Sequence, residues 1–321
     1  MERINPLHSL QQFVQKLVSF SWAIQPPRSI TTSATATTTS PALKMARGAV
    51  IALSHGGGPM PILGDPNSAA LIKSLKTRVP AILKLDHTDP AERPRAIVMV
   101  TAHWSTRNPT ISSGAKHALL YDYYGFPPES YKLKYDAPGS PEIASRLAEL
   151  MKEEGLAPEL DAKRGWDHGV FVPLLLVRPQ ADIPVVQVSV LESEDPAAHF
   201  AMGRALGKLR EENVAIVGSG FATFHNLRHM FSGATADPSF RRQVLEWSKA
   251  VTDNVTVKDA KEREEKLANW REWPGAYVSH PKGGAEHFLP LIVCAGAVGD
   301  EQAKSYADEF MGLGMVSYYW E

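Results

Sequence analysis

The segment SHGGGPMPILGD (54–65) places a histidine directly before three glycines. Such a loop could form the oxyanion hole of an esterase, or it could present His55 to a metal ion. The esterase interpretation requires a G-x-S-x-G nucleophile elbow further along the chain. No serine has glycines two residues before and two residues after it, and the nearest approach, VGSGFA (217–222), has the wrong spacing. The sequence therefore disfavours serine hydrolysis and favours a metal site.

Four further histidines stand where chemistry is common in α/β proteins. His103 and His225 follow apolar runs that predict strands, whereas His168 and His287 stand near the start of predicted helices. Ligands of open α/β sheets bind at the carboxyl ends of strands and at the adjacent helix N-termini, so we expect these side chains to meet His55 there. Imidazole is a ligand for iron, zinc, copper and nickel. The set predicts a catalytic mononuclear metal site with additional histidines for proton transfer.

The pattern of apolar residues predicts the elements that position these histidines. Five runs rich in valine, isoleucine and aromatic residues predict strands, and most are continuous, as in strands buried on both faces. The alternation of strands with helical stretches predicts a single α/β domain with a central, mostly parallel or mixed sheet flanked by helices. The predicted strands lie in GAVIALSHGGG (48–58), RAIVMVTAHW (95–104), IPVVQVSV (183–190), NVAIVGSG (213–220) and GMVSYYW (314–320), and the predicted helices in SPEIASRLAELMKEEG (140–155), DPAAHFAMGRALGKLREE (195–212), DPSFRRQVLEWSKAVTDNV (237–255) and KDAKEREEKLANW (258–270).

The overall composition restricts the kind of partner. The 34 lysines and arginines nearly balance the 35 aspartates and glutamates, so no basic stripe predicts nucleic-acid binding. No apolar run approaches the roughly 20 residues of a membrane span. The one cysteine, Cys294, excludes an internal disulfide and indicates a reducing compartment. We expect a cytoplasmic protein that acts on a small molecule, with homo-oligomerisation left open.

Residues 1–45 differ in composition from the rest of the chain. RSITTSATATTTSPALKM (28–45) is rich in serine, threonine and alanine, and Glu2 is the one acidic residue before Met45. This composition predicts a disordered extension or a transit-like peptide, and a transit peptide in residues 1–44 would direct the protein to mitochondria instead. We therefore place the catalytic domain at residues 46–321.

Six segments together resemble one known family. They are SHGGGPM (54–60), VTAHW (100–104), YDYYGFPPESYKLKYDAPGSPEIA (121–144), GWDHGVFVPLLLVRPQADIPVVQVSV (165–190), GSGFATFHNLR (218–228) and SHPKGGAEHFLPLIVCAGAVGDE (279–301). In this order they resemble the class III extradiol ring-cleavage dioxygenases, and most closely the branch that is similar to 4,5-DOPA dioxygenases.

The resemblance implies a metal centre of defined composition. It implies one non-haem Fe(II), which Zn(II) can replace in purified protein. His55 and His103 match the first two ligands, and His287 matches the third. Glu286 is the alternative third ligand, because other relatives use a carboxylate at that place.

The resemblance also implies a reaction and the residues that serve it. The implied substrates are a catechol, such as L-DOPA, and O2, and the implied product of ring opening is a semialdehyde. His225 matches the catalytic acid–base of the family, and His168 matches a second catalytic histidine that binds substrate or moves protons. We expect Tyr121, Trp104 and Asp167 to contribute to substrate binding.

Two other functions are compatible with the same scaffold. A zinc-dependent hydrolase would need a carboxylate base beside a metal-bound water, and Glu286 and Asp167 are the candidates. A non-enzymatic interaction protein similar to Memo would need no metal. Bound metal in the purified protein would therefore argue against the second alternative.

Overall fold

The computed structural model describes residues 46–321, and the extension predicted at residues 1–45 lies outside the described residues. Eight strands of the described part form one sheet. They are β1 (Val50–Ser54), β2 (Ala96–Thr106), β3 (Thr110–Ser112), β4 (Glu159–Asp161), β5 (Val185–Leu191), β6 (Val214–Gly220), β7 (Lys304–Phe310) and β8 (Leu313–Trp320).

The sheet has a parallel centre and antiparallel margins. Its strand order is β4-β3-β5-β2-β6-β1-β8-β7. The four central strands β5, β2, β6 and β1 are mutually parallel, whereas β3 runs antiparallel to β5, and β8 runs antiparallel to β1. The carboxyl ends of β1, β2 and β6 therefore meet at one edge, where ligands of such sheets bind.

Helices cover both faces of the sheet. Alternate residues of β1 show this directly, because Val50 and Ala52 pack into one buried cluster and Ile51 and Leu53 into another. Burial on both faces explains why the central strands read as continuous apolar runs. The helices are α1 (Ala69–Ile82), α2 (Pro141–Glu153), α3 (His168–Val177), α4 (Pro196–Arg210), α5 (Leu227–Met230), α6 (Pro238–Val255), α7 (Ala260–Ala268), α8 (Ala276–Ser279) and α9 (Leu289–Gly296).

The helix starts follow local sequence signals. Ser140 caps α2 by accepting a hydrogen bond from the Ile143 amide, and Pro141 occupies the first helical position. Asp195 and Asp237 cap α4 and α6 in the same way, each before a proline. These caps satisfy amides that have no partner within the helix, so Ser-Pro and Asp-Pro predict helix starts.

The α/β fold with a mixed sheet is confirmed, as are the five predicted strands and the predicted helices, including those that begin near His168 (α3) and His287 (α9). His103 was expected just past its strand but lies within β2, where the pairing register with β5 shifts between Val100 and Ser105. Within residues 46–321, no helix is both long and apolar enough to cross a lipid bilayer. Cys294 is fully buried in α9 and unpaired.

Candidate metal centre

Three imidazoles converge at the carboxyl edge of the sheet. His55 directly follows β1, His103 lies in β2, and His287 lies in the turn before α9. The Nε2 atom of His103 is 3.0 Å from that of His55 and 3.2 Å from that of His287. Burial lowers the pKa of all three imidazoles well below the usual value, and the neighbouring histidines lower it further. The three rings are therefore neutral at physiological pH, as metal binding requires.

A single metal ion fits between these three nitrogens. Metal–imidazole bonds are about 2.0–2.1 Å long, so two such bonds at right angles place their nitrogens about 3.0 Å apart. The observed separations agree with that spacing. Among the described residues, the Nε2 atoms of His55 and His287 each lie close to Nε2 of His103 and have no other hydrogen-bond partner. The donor set suits zinc or divalent iron.

Hydrogen bonds on the far side of two rings fix which nitrogen faces the centre. Ser219 donates its hydroxyl to the Gly169 carbonyl, so its oxygen accepts from Nδ1 of His55 at 3.0 Å. Nδ1 of His287 lies 2.9 Å from the Glu286 carboxylate and donates to it. Both rings thus carry the proton on Nδ1 and present the Nε2 lone pair, the arrangement typical of metal-bound histidines.

The Glu286 carboxylate lies on the Nδ1 side of His287, whereas the Nε2 atom of that ring faces His103. Burial raises the pKa of Glu286, and its contact with Nδ1 of His287 is already a hydrogen bond. In this arrangement Glu286 hydrogen-bonds an imidazole on the side away from the three converging nitrogens. Its carboxylate also lies within 4.8 Å of ring nitrogens of His225 and His287, so it remains the alternative third ligand.

Asp122, which the sequence did not reveal as a site residue, connects two histidines. Its Oδ1 atom accepts from both the backbone amide and Nδ1 of His168, each at 2.9 Å. Its Oδ2 atom lies 3.5 Å from Nδ1 of His103. Burial opposes ionisation of Asp122, but the hydrogen bond and the charge of His168 outweigh it and lower the pKa of the carboxyl.

His168 and His225 flank the three converging rings. The His168 ring lies 3.8 Å from the His103 ring, measured between centroids. The His225 ring stacks on His287 at 3.3 Å with an interplanar angle of 16°, and its backbone amide donates to the Ser279 carbonyl. Burial, followed by the charge of His168, lowers the pKa of His225 to about 4. The structure therefore brings together all five histidines that the sequence singled out.

Two glycines allow the elements of the site to approach closely. A Cβ atom at Gly169 would lie 2.9 Å from Cδ2 of His103 and 2.7 Å from Oγ1 of Thr101. A Cβ atom at Gly220 would lie 2.3 Å from the His287 carbonyl, which accepts a hydrogen bond from the Phe221 amide. The glycines of DHG and GSG therefore set how near α3 and the turn before α9 come to the sheet.

An open cavity of about 720 Å³ leads from solvent to the histidines. Its volume lies within the roughly 300–1,000 Å³ of small-molecule sites. Tyr123, Tyr124, Phe126, Phe221 and the loop of Gly56–Gly58 contribute to its wall. The arrangement offers a neutral nitrogen site for a metal, open to a small molecule and flanked by two further imidazoles.

Three predicted substrate contacts do not lie on this wall. The Tyr121 hydroxyl donates to the Leu133 carbonyl at 2.7 Å, so its polar end is held within the protein. The Trp104 ring is buried beneath the Arg164 guanidinium, and Asp167 is fully buried. Asp167 accepts from Thr101, and burial raises its pKa to about 6. The prediction that these side chains contact substrate therefore has no support in this geometry.

The fold and the site are those of an α/β protein whose mixed sheet gathers imidazoles on the wall of an open cavity. The model of one family, the catalytic LigB subunit of aromatic ring-opening dioxygenase, matches residues 52–319. The chain belongs to this family.

Similar proteins extend this result. The dioxygenase tasH of Hapsidospora irregularis is 54% identical over 86% of each chain. A 4,5-DOPA dioxygenase extradiol from Beta vulgaris is 34% identical, over 83% of this chain and 92% of its own, and one from Escherichia coli is 36% identical, over 83% and 90%. The crystal structure of an uncharacterized protein of Escherichia coli K12 aligns with a TM-score of 0.64 at 33% identity and covers 86% of this chain and all of its own. The chain is thus a ring-cleaving dioxygenase of a metal-dependent family.

Proposed function

We propose that the protein is an Fe(II)-dependent extradiol dioxygenase that opens the ring of a catechol with O2 and releases a semialdehyde. The convergence of the Nε2 atoms of His55, His103 and His287 at the floor of the cavity carries this proposal. Membership of a ring-opening dioxygenase family supports it. Several relatives are named 4,5-DOPA dioxygenase, so L-DOPA is one catechol that a test of this proposal must include.

The three imidazoles would hold the metal and leave its cavity side open. Bound there, the metal supplies the acidity that helps a catechol lose its protons and the electron transfer that lets O2 react with the ring. Ser219 and Glu286 keep the Nδ1 protons of His55 and His287 in place, so both Nε2 atoms stay available.

His225 is suited to remove a hydroxyl proton from the substrate. Its lowered pKa, about 4, keeps the ring neutral and able to accept a proton at physiological pH. The Glu286 carboxylate lies 3.7 Å from Nδ1 of His225 and would stabilise the ring once it is protonated. His225 can then return that proton when the ring opens, so it serves as base and then as acid.

His168, which lies beside the His103 ring, is suited to orient the substrate and to carry a proton. Asp122 accepts from Nδ1 of His168, which leaves Nε2 of that ring available to hydrogen-bond with the substrate. The same carboxylate also accepts from the His168 amide, so the imidazole is fixed at the first residue of α3.

Anaerobic reconstitution with Fe(II), followed by mixing with catechols and air, tests the proposal. We expect a yellow ring-opened product in the visible spectrum for at least one catechol of a panel that includes L-DOPA. The matched variant His225→Ala should retain its metal while turnover falls by about 10²–10⁴-fold, the usual contribution of an acid–base residue. Fe(II)-loaded protein that yields no ring-opened product from any catechol would overturn the proposal.

A further inference from the structure

The charged groups on the cavity wall, apart from the imidazoles, are all of one sign. They are the carboxyl groups of Asp65, Asp122 and Glu286. Within residues 46–321, no lysine or arginine lines the cavity. The carboxylate of an amino-acid substrate would therefore enter this cavity without a cationic partner, and burying an unpaired charge is unfavourable.

The wall carboxyl groups are themselves already bound. Asp122 and Glu286 accept from imidazoles, as described above. Asp65 accepts from the Ser68 hydroxyl at 2.9 Å and from the side-chain amide of Asn67 at 3.1 Å. These groups are therefore committed to holding protein atoms, and an amine on the substrate would have to compete for them.

Apolar side chains form the mouth of the cavity and continue inward from it. Tyr124 is 92% exposed, Phe231 84% and Leu227 55%. Exposed apolar surface that is continuous with a cavity is typical of a ligand-binding site. The cavity, at about 720 Å³, has room for much more than one aromatic ring. The apolar side chains that line the cavity include Tyr124, Phe126, Leu227, Met230, Phe231 and Met311.

We propose that the preferred substrate is a catechol whose ring carries an extended, uncharged apolar substituent, and that catechols with a free carboxylate, L-DOPA included, are poor ligands. This inference rests on the proposed function, since it takes the catechol hydroxyls to be directed toward the metal centre. The substituent then lies along the apolar wall between the centre and the mouth.

Calorimetric titration of the protein loaded with Zn(II), which has no redox chemistry of its own, tests the preference without turnover. The ligands are catechol and its 4-methyl, 4-ethyl, 4-butyl and 4-hexyl derivatives. We expect affinity to increase up to about fourfold per methylene, the factor that corresponds to about 0.8 kcal/mol for a fully buried CH2 group. An affinity that does not change along the series would overturn the inference.

Matched pairs of ligands separate the effect of charge on affinity from the effect of size. The methyl ester of 3,4-dihydroxyhydrocinnamate should bind about tenfold or more tightly than the free acid, because only the acid buries an unpaired charge. Equal affinities, or tighter binding of the acid or of L-DOPA, would overturn the proposed discrimination against carboxylates. Dopamine that binds more tightly than 4-ethylcatechol would show that the wall carboxylates select an amine, which also contradicts the proposal.

One pair of variants tests whether residues at the cavity mouth determine the preference for the ester over the acid. Leu227→Arg introduces a cation at the cavity mouth and should shift the affinity ratio of acid to ester toward the acid. Leu245→Arg is the control, because Leu245 is similarly exposed, at 59%, on α6 and does not line the cavity. The same ratio in both variants would contradict a role for the mouth in selection.

Turnover by the Fe(II)-loaded protein separates failure of this inference from failure of the proposed function. If L-DOPA or dihydroxyhydrocinnamate is cleaved at least as efficiently as 4-hexylcatechol, the inferred preference for an uncharged apolar substituent is wrong, while the dioxygenase proposal is unaffected. A Zn(II)-loaded protein that binds no catechol, with an Fe(II)-loaded protein that opens none, would overturn both.

Discussion

Hydrogen-bond acceptors orient two imidazoles of the proposed metal centre, and the third lies close to a carboxylate. Ser219 lies at Nδ1 of His55, Glu286 at Nδ1 of His287, and Asp122 is the nearest carboxylate to Nδ1 of His103. Such partners fix both the tautomer and the direction of the ring. The histidines and their partners should therefore give different phenotypes when they are replaced.

The first prediction distinguishes the metal-binding role of His287 from that of Glu286. His287→Ala should lose most of its bound metal, because one of three nitrogen donors is removed. Glu286→Gln should keep the metal with an affinity weakened by about 10–100-fold, as expected for a residue that only orients a ligand. Metal content after dialysis against a graded chelator series measures both. Full metal occupancy in His287→Ala would instead favour Glu286 as the third ligand.

A second prediction concerns Asp122. Asp122→Asn removes the charge that holds His168 and faces His103. We expect turnover to fall by about 10–100-fold while the protein remains folded and metal-loaded. Asp136→Asn is the matched control, because Asp136 is exposed and lies outside the cavity wall. Equal steady-state rates for the two variants would show that Asp122 has no positioning role.

The site histidines were predictable because each stands beside a glycine turn, an apolar run or a helix start. Asp122 was not predictable, since YDYYG gives no spacing that links it to His168, which follows 46 residues later. The sequence predicts Tyr121 as a substrate contact, but its hydroxyl donates to the Leu133 carbonyl, and Tyr123 of the same segment lies on the cavity wall. Two tyrosines two residues apart, such as these, are distinguished by tertiary packing and not by residue type.

The start of α3 and strand β2 must approach closely for the site to form. We expect Gly169→Ala to destabilise the protein by about 1–3 kcal/mol, the usual cost of overpacking, and to weaken metal binding because the new methyl group meets His103. Gly299→Ala is the control, since a Cβ atom there meets no neighbouring atom. Urea unfolding of both variants, with metal titration, gives the comparison, and equal stabilities would contradict the packing argument.

The buried His199, where β5 leads into α4, predicts that the stability of the protein depends on pH. His199 is fully buried, its Nδ1 donates to the Asp195 carbonyl at 2.7 Å, and its Nε2 accepts from the Leu191 amide at 3.0 Å. Burial lowers the pKa of His199 to about 4. Between about pH 6.5 and 4 the unfolded chain binds a proton here and the folded chain does not, so the unfolding free energy falls as the pH is lowered.

His199→Gln removes this titration and should make the pH profile shallower. Relative to its value at pH 7, the unfolding free energy of the unmodified protein should fall by about 2 kcal/mol more at pH 4.5 than that of the variant. Urea unfolding at both pH values, with chelator present throughout, measures the difference. Parallel profiles for the two proteins would rule out this contribution.

Three strands, β3, β4 and β7, could not be predicted from the sequence, for two physical reasons. β3 and β4 have only three residues each, which is too short to show a periodicity. β7 (KSYADEF) is polar and mostly exposed because it lies at the edge of the sheet. The central strands could be predicted because burial on both faces requires continuous apolar runs.

At the scale of the whole molecule, the parallel centre of the sheet creates the site. Adjacent parallel strands end at the same edge, so residues far apart in the sequence, such as His55 and His225, meet there. The cavity wall comes from several separate segments, among them Tyr123–Tyr124, Leu227, Phe231 and Met311. No single motif encodes this wall.

The ratio of O2 consumed to catechol consumed by the Fe(II)-loaded protein, followed in an oxygen electrode with product analysis, tests the central claim most directly. The proposed reaction places both oxygen atoms in one ring-opened product, so we predict mole-for-mole consumption without release of hydrogen peroxide. Addition of catalase should therefore return no oxygen. Oxygen uptake that yields a quinone with peroxide or water, and a ring that stays closed, would contradict ring-cleaving dioxygenase chemistry at this centre.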